Sequence, residues 1–144
     1  MKDILKFYKY ITLCIERRCS IMCKLSEIKH GAVFMCELPS NENVKHSQNG
    51  VRPIILASNN MNLKTSPCIH ILPISTRMGK CNGKGLPTHK KLHADFLSRQ
   101  SICLGEQLMM ISKDTLLKTG RYLGTLDSED LATVKEALKI QLAL

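Results

Sequence analysis

The segment His46-Ser47-Gln48-Asn49-Gly50-Val51-Arg52-Pro53 sets a polar loop directly before an arginine at the mouth of an apolar strand. A guanidinium there presents a fixed fork of donors where a phosphate can reach it. Gly50 permits a tight approach of the backbone, and Pro53 stiffens the exit. Ile74-Ser75-Thr76-Arg77 ends another apolar run with two hydroxyls and a second guanidinium. Gly105-Glu106-Gln107 puts a carboxylate and an amide inside an otherwise apolar stretch, where polar groups are costly unless paired. Taken singly, each piece has an ordinary explanation. An arginine at such a junction is more often solvated or ion-paired than catalytic, and Ser-Thr at a strand end is common turn chemistry. The chain has no glycine-rich phosphate loop, HExxH motif or GxSxG elbow. The usual nucleotide-hydrolase, zinc-protease and esterase chemistries are thereby set aside.

These residues need elements to hold them. Ala32 to Leu38 is a short apolar run stopped by Pro39, and Ser40 to Asn49 is a polar loop. Val51 to Ser58 reads as a second buried strand, with proline near its start where a missing N–H is tolerated. Asn59 to Pro67 reads as a loop and Ile69 to Ile74 as a third strand. After an exposed Gly- and Lys-rich stretch over Met78 to Gly85, Leu86 to Leu92 resumes an edge strand. Ser101 to Ile111 supplies one or two more, with Gly105 marking a bulge or close backbone approach. Asp127 or Ser128 caps a C-terminal helix whose Leu131, Val134 and Leu138 recur at helical spacing. Several short strands closed by one helix make a mainly β fold with helices, a small curled sheet or barrel. Residues 1–27 mix apolar residues with lysines as an extra N-terminal helix, too short and too charged for a membrane span, ahead of a domain over 28–144. Translation starting at Met22 is a further possibility.

The bulk numbers fit one soluble domain of 144 residues, 44% hydrophobic, with 21 Lys and Arg against 12 Asp and Glu. The resulting charge of +9 favours polyanions. Seven cysteines without a CxxC pair argue against a disulfide framework and for a reducing compartment. Cys19 and Cys23 with His30 lack the second ligand pair that zinc would want. At 4% aromatic residues there is little material for base stacking, so grip on a nucleic acid would come from charge. Lys80 and Lys84, in the loop after the third strand, are candidates for it.

The order His30-Gly31-Ala32-Val33-Phe34, Gly50-Val51-Arg52-Pro53-Ile54-Ile55-Leu56, Leu72-Pro73-Ile74-Ser75-Thr76, Leu86-Pro87-Thr88-His89, Gly105-Glu106-Gln107 and a final Glu136-Ala137-Leu138 helix resembles the MazF/PemK toxins. The similarity runs from about Ile28 to the C-terminus. It implies an SH3-like barrel of the MazF/PemK/CcdB type that dimerises and works in the cytoplasm without a cofactor or a metal. It also implies cleavage of single-stranded RNA at short motifs, leaving 2′,3′-cyclic phosphate and 5′-OH ends, and neutralisation by a cognate antitoxin. Carried residue by residue, the family's catalytic arginine falls on Arg52 and its strand-end hydroxyl on Ser75, with Thr76 beside it. Gln48 matches the loop glutamine, while the usual Ser-Glu becomes His46-Ser47. Glu106-Gln107 matches an acidic or Glu-Gln pair. Met109 stands where a basic residue is common, and Met110 stands at a hydroxyl position.

RNA carries its own nucleophile, so cleavage without a metal needs three things. The 2′-OH must lose a proton, the phosphorane oxygens must be stabilised, and the leaving 5′-oxygen must gain a proton. Arg52 and Ser75 suit the phosphorane, and Glu106 or His46 could act as base. Catalysis is thus expected from Arg52, Ser75 and Glu106. Substrate binding is expected from His46, Ser47, Gln48, Thr76, Arg77, Gln107, Lys80 and Lys84. Two other readings keep the fold: a nucleic-acid-binding module whose site has decayed at Met109 and Met110, and a toxin that inhibits another protein.

Overall fold

The computed structural model describes residues 23–77 and 85–144. Most of the expected N-terminal helix, over residues 1–22, lies outside them. A 3-10 turn at Leu25–Glu27 leads into the domain, and Cys23 is already packed in its core, ahead of the expected boundary at 27/28.

β1 (Ala32–Leu38), β2 (Gly50–Leu56) and β3 (Cys68–Ser75) form an antiparallel meander. β4 (His89–Leu92) and β5 (Ser101–Leu104) extend it beyond β3, and β7 (Arg121–Thr125) pairs with the far edge of β1. The strands run β4-β5-β3-β2-β1-β7, and β6 (Met109–Ser112) also pairs with β3. One strand thus serves two neighbours on the same side. β5 lies against Ile74 and Ser75, and β6 against Cys68 to Ile71. Between these pairings stands Leu72-Pro73, where proline offers no N–H to a ladder. There the chain between β5 and β6 leaves the sheet as a 3-10 turn, Gly105–Gln107.

The first strands read as continuous apolar runs because both faces of the sheet are covered. Ala32, Phe34, Cys36, Ile54, Leu56, Ile69 and Ile71 point to one cluster; Val33, Ile55, Leu72 and Ile74 point to the other. Helices α1 (Asn60–Thr65) and α2 (Lys113–Thr119) add Leu63 and Leu116 to the first cluster. Helix α3 (Ser128–Leu142) adds Val134 and Ala137 to the second. Asp127 caps α3 by accepting the Asp130 N–H at 2.8 Å. Gly124 in β7 lies so close to Phe96 that a Cβ there would stand 2.3 Å from its ring.

The mainly β fold with a C-terminal helix is the one expected, with local differences. Asn59 to Pro67, expected as a loop, contains α1, which starts because the Asn59 side chain accepts the Asn62 N–H at 2.8 Å. The stretch from Ser101 to Ile111 is two strands separated by the 3-10 turn. The strand expected from Leu86 begins only at His89, because the Leu86 N–H bonds to the His89 ring at 3.2 Å and closes a turn. Cys23, Cys36, Cys68 and Cys103 are free thiols, and all but Cys68 are buried. No described helix is long and apolar enough to cross a membrane.

Candidate active site

Continuing the β2–β3 register past Ile54 and Pro73 sets Arg52 across from Ser75, on the side of the first cluster but beyond its edge. Two residues far apart in sequence become neighbours because one ladder fixes both. With the loop before β2 and the chain leaving β3, they line an open groove of about 530 Å³. Its walls are His46, Ser47, Gln48, Asn49, Arg52, Ile74, Ser75, Thr76 and Arg77. No carboxylate occurs in this lining among the described residues.

The Arg52 guanidinium is anchored at two points. Nε donates to the Asn49 carbonyl at 2.8 Å, and Nη1 donates to Gln48 Oε1. Among the described residues nothing else takes the guanidinium hydrogens, which remain for a ligand. Partial burial, and after it the charge of Arg77, lower the Arg52 pKa from its ordinary value. Two cations facing one groove, with no carboxylate among its described lining residues, attract an anion. Ser75 Oγ accepts the Arg77 backbone N–H at 3.2 Å, which leaves the hydroxyl hydrogen free to be given to a substrate oxygen.

The loop carrying Gln48 crosses a left-handed position at His46, φ 66°, and enters β2 through Gly50, φ 73°. The left-handed region is open to glycine and less costly for histidine than for most residues. Gln107 reaches this loop. Its Oε1 accepts the Gln48 N–H at 3.3 Å and its Nε2 donates to the His46 carbonyl at 3.4 Å. Expected to bind substrate, Gln107 is instead engaged by loop backbone at both ends of its amide, off the groove wall.

Glu106 does not line the groove either. It accepts from Thr88 Oγ1 at 3.1 Å and pairs with His89 Nε2 at 2.6 Å. His89 Nδ1 takes the Leu86 N–H, so the ring proton sits on Nε2 and is donated to Glu106. The carboxylate expected as a base is thus tied up by a histidine and a hydroxyl. His46, the other candidate, is exposed on the groove wall. Lys80 and Lys84 lie outside the described residues. Met109 packs against the first cluster and Met110 is exposed; neither reaches the groove.

The contacts that sequence reasoning missed are Asn49, whose carbonyl holds the guanidinium, and the Thr88-His89 pair that holds Glu106. Backbone carbonyls leave no trace in residue type. Thr88 and His89 were visible only as part of a resemblance. No group of three or more His, Cys, Asp or Glu able to hold a metal occurs among the described residues.

A family model described as PemK-like, MazF-like toxin of type II toxin-antitoxin system matches residues 29–142. The endoribonuclease EndoA of Bacillus subtilis is 33% identical over 119 residues, which cover 81% of this chain and 96% of that protein. Among solved structures, MazF from Deinococcus radiodurans superposes with a TM-score of 0.65 at 18% identity, over 81% of this chain and 96% of its own. A mycobacterial endoribonuclease, solved in complex with its cognate antitoxin, gives 0.62 at 19% identity, over 81% and 95%. At such identities the structural matches speak for the fold.

Proposed function

The chain belongs to the PemK-like, MazF-like toxins of type II toxin-antitoxin systems, and on that premise we propose that it is an endoribonuclease cutting single-stranded RNA in the groove between β2 and β3. The observation that carries this reading is the meeting of Arg52, Arg77 and the Ser75 hydroxyl on one groove, with no carboxylate among the described residues that line it. That is a donor set for a phosphodiester.

In the proposed reaction the 2′-oxygen of the RNA attacks the adjacent phosphorus and the 5′-oxygen leaves, taking up a proton from water in the open groove. A 2′,3′-cyclic phosphate and a 5′-OH remain, and no metal is required. Arg52, held by Asn49 and Gln48, turns its remaining donors to the phosphorane oxygens. Ser75 gives its hydroxyl hydrogen to the same charge. His46 stands on the groove wall as the candidate to take the 2′-OH proton, a better placement than that of Glu106. Ser47, Gln48, Thr76 and Arg77 flank the reacting bond, with Arg77 on a neighbouring phosphate. A cognate antitoxin neutralises the enzyme, a partner of the kind seen with the mycobacterial relative. A second copy of the chain and a cytoplasmic site of action follow from the same family reading.

The test is to incubate the full-length protein with a long single-stranded RNA in EDTA. New fragments ending in 2′,3′-cyclic phosphate are expected. Intact RNA with a shifted gel band would replace the enzyme by a binding module.

A further inference from the structure

We propose that Gln107 is the positioning residue for Arg52, its amide holding the loop that in turn holds the guanidinium. The inference rests on the endoribonuclease reading above. The contacts form a chain. Gln107 binds the backbone of the loop on both sides of Ser47, at the His46 carbonyl and the Gln48 N–H. The next groups along that loop, the Gln48 side chain and the Asn49 carbonyl, hold Arg52.

Three observations make this more than incidental contact. First, the loop needs holding: His46 is left-handed, a conformation that an L-residue keeps only where its surroundings hold it. Second, the chemistry fits the task. A primary amide presents an acceptor and donors in one plane, so it can meet an N–H and a C=O together, which neither a carboxylate nor an ammonium can do. Third, Gln107 stands on a firm base. It closes the 3-10 turn whose Gly105 N–H bonds to the Thr88 carbonyl at 3.1 Å and whose Glu106 is pinned by Thr88 and His89. The turn is docked on the start of β4, and the amide projects from it to the loop. Gln107 is absent from the groove walls, so its influence on the reaction runs through Arg52.

The test uses Gln107→Ala and Gln107→Asn, the second keeping the amide but shortening its reach. Single-turnover cleavage of a short RNA is compared with that of the wild type, Arg52→Ala and the double variant Gln107→Ala/Arg52→Ala. A reacting group displaced by about 1 Å loses up to about 10²-fold in rate. Both Gln107 variants should therefore lose up to about 10²-fold in kcat with KM near the wild-type value. The double variant should be no slower than Arg52→Ala, because a residue acting through another adds nothing once that other is gone. Independently of activity, the Arg52 Nε–H resonance of isotope-labelled protein, shielded by Asn49 in the wild type, should broaden or vanish in Gln107→Ala while the melting temperature holds. Losses that multiply in the double variant, or a rise in KM with the Arg52 resonance intact, would show direct grip on RNA and overturn the proposal. So would wild-type rates in both Gln107 variants. Failure of the wild type to cleave RNA would refute the endoribonuclease reading alone, and the Arg52 resonance would still decide the role of Gln107.

Discussion

Replacing Arg52 by lysine separates two things the guanidinium supplies, charge and a directed fork. In the native groove Nε is used on Asn49 and Nη1 on Gln48, and the remaining donors are aimed by those two anchors. A lysine ammonium is a compact point charge with rotatable donors, and no arrangement reproduces both anchors while facing a phosphate. Loss of one preorganised donor at a developing oxyanion costs about 10²–10³ in rate, or about 2.7–4 kcal/mol. Arg52→Ala should therefore fall by at least that factor, and Arg52→Lys should lose about 10²-fold although its charge is kept. Binding should separate the two variants more clearly than cleavage does. One phosphate contact on a single strand contributes about 0.7 to the slope of log K against log salt. Arg52→Ala should flatten the slope by about that amount, and Arg52→Lys should leave it unchanged. The assay is single-turnover cleavage of a fluorescent RNA at several salt concentrations, with thermal melting to verify the fold. Cleavage by Arg52→Ala within a few-fold of the wild type would remove Arg52 from the chemistry. Full activity in Arg52→Lys would show that charge alone suffices and that the two anchors are irrelevant.

Ser75→Ala should lower kcat about 10²-fold, whereas Ser75→Thr, which keeps the hydroxyl, should retain most activity; initial rates on the same RNA decide it. Gly124→Ala would force a methyl to 2.3 Å from the Phe96 ring and should cost about 1–3 kcal/mol by urea denaturation, leaving the groove untouched. Burial pushes the Cys103 thiol from its ordinary 9.0 up to about 11. The folded state thus holds this proton more tightly than the unfolded chain. Its contribution, about 2–3 kcal/mol, is complete below pH 9 and is lost as pH rises from 9 through 11, a decline that urea melts across that window should record. In Cys103→Ala the decline should shrink, though not vanish, because burial also raises Cys23 and Cys36.

The strands β1 to β3 and helix α3 were legible because each carries its own signal. The strands are apolar on both faces, and α3 has an acidic cap followed by apolar residues at helical spacing. Helices α1 and α2 were not. Each is a turn or two long, starts on a side-chain cap from Asn59 or Ser112, and owes its place largely to one buried leucine, Leu63 or Leu116. Within the site, Arg52 and Ser75 were legible by type, but their meeting depends on strand register, which a single sequence does not state. Glu106 and Gln107 drew attention as polar residues in an apolar stretch. What each was partnered with was a matter of where the 3-10 turn lands against Thr88 and the loop before β2, and no local pattern encodes that.

The placement of Arg52 and Ser75 across one ladder, with the polar loop at the rim, divides the molecule's freedom to vary. Connecting segments accept changes of length and sequence that a ladder does not, since a one-residue slip in β2 or β3 turns every side chain to the wrong face. A descendant of this protein can therefore rewrite residues 40–45 and reshape the approach to the groove, while His46, the loop that anchors Arg52 and the pair on the ladder stay in place. Cutting is written into the strands and the last residues of the loop, and the earlier part of the loop can change without rediscovering the chemistry.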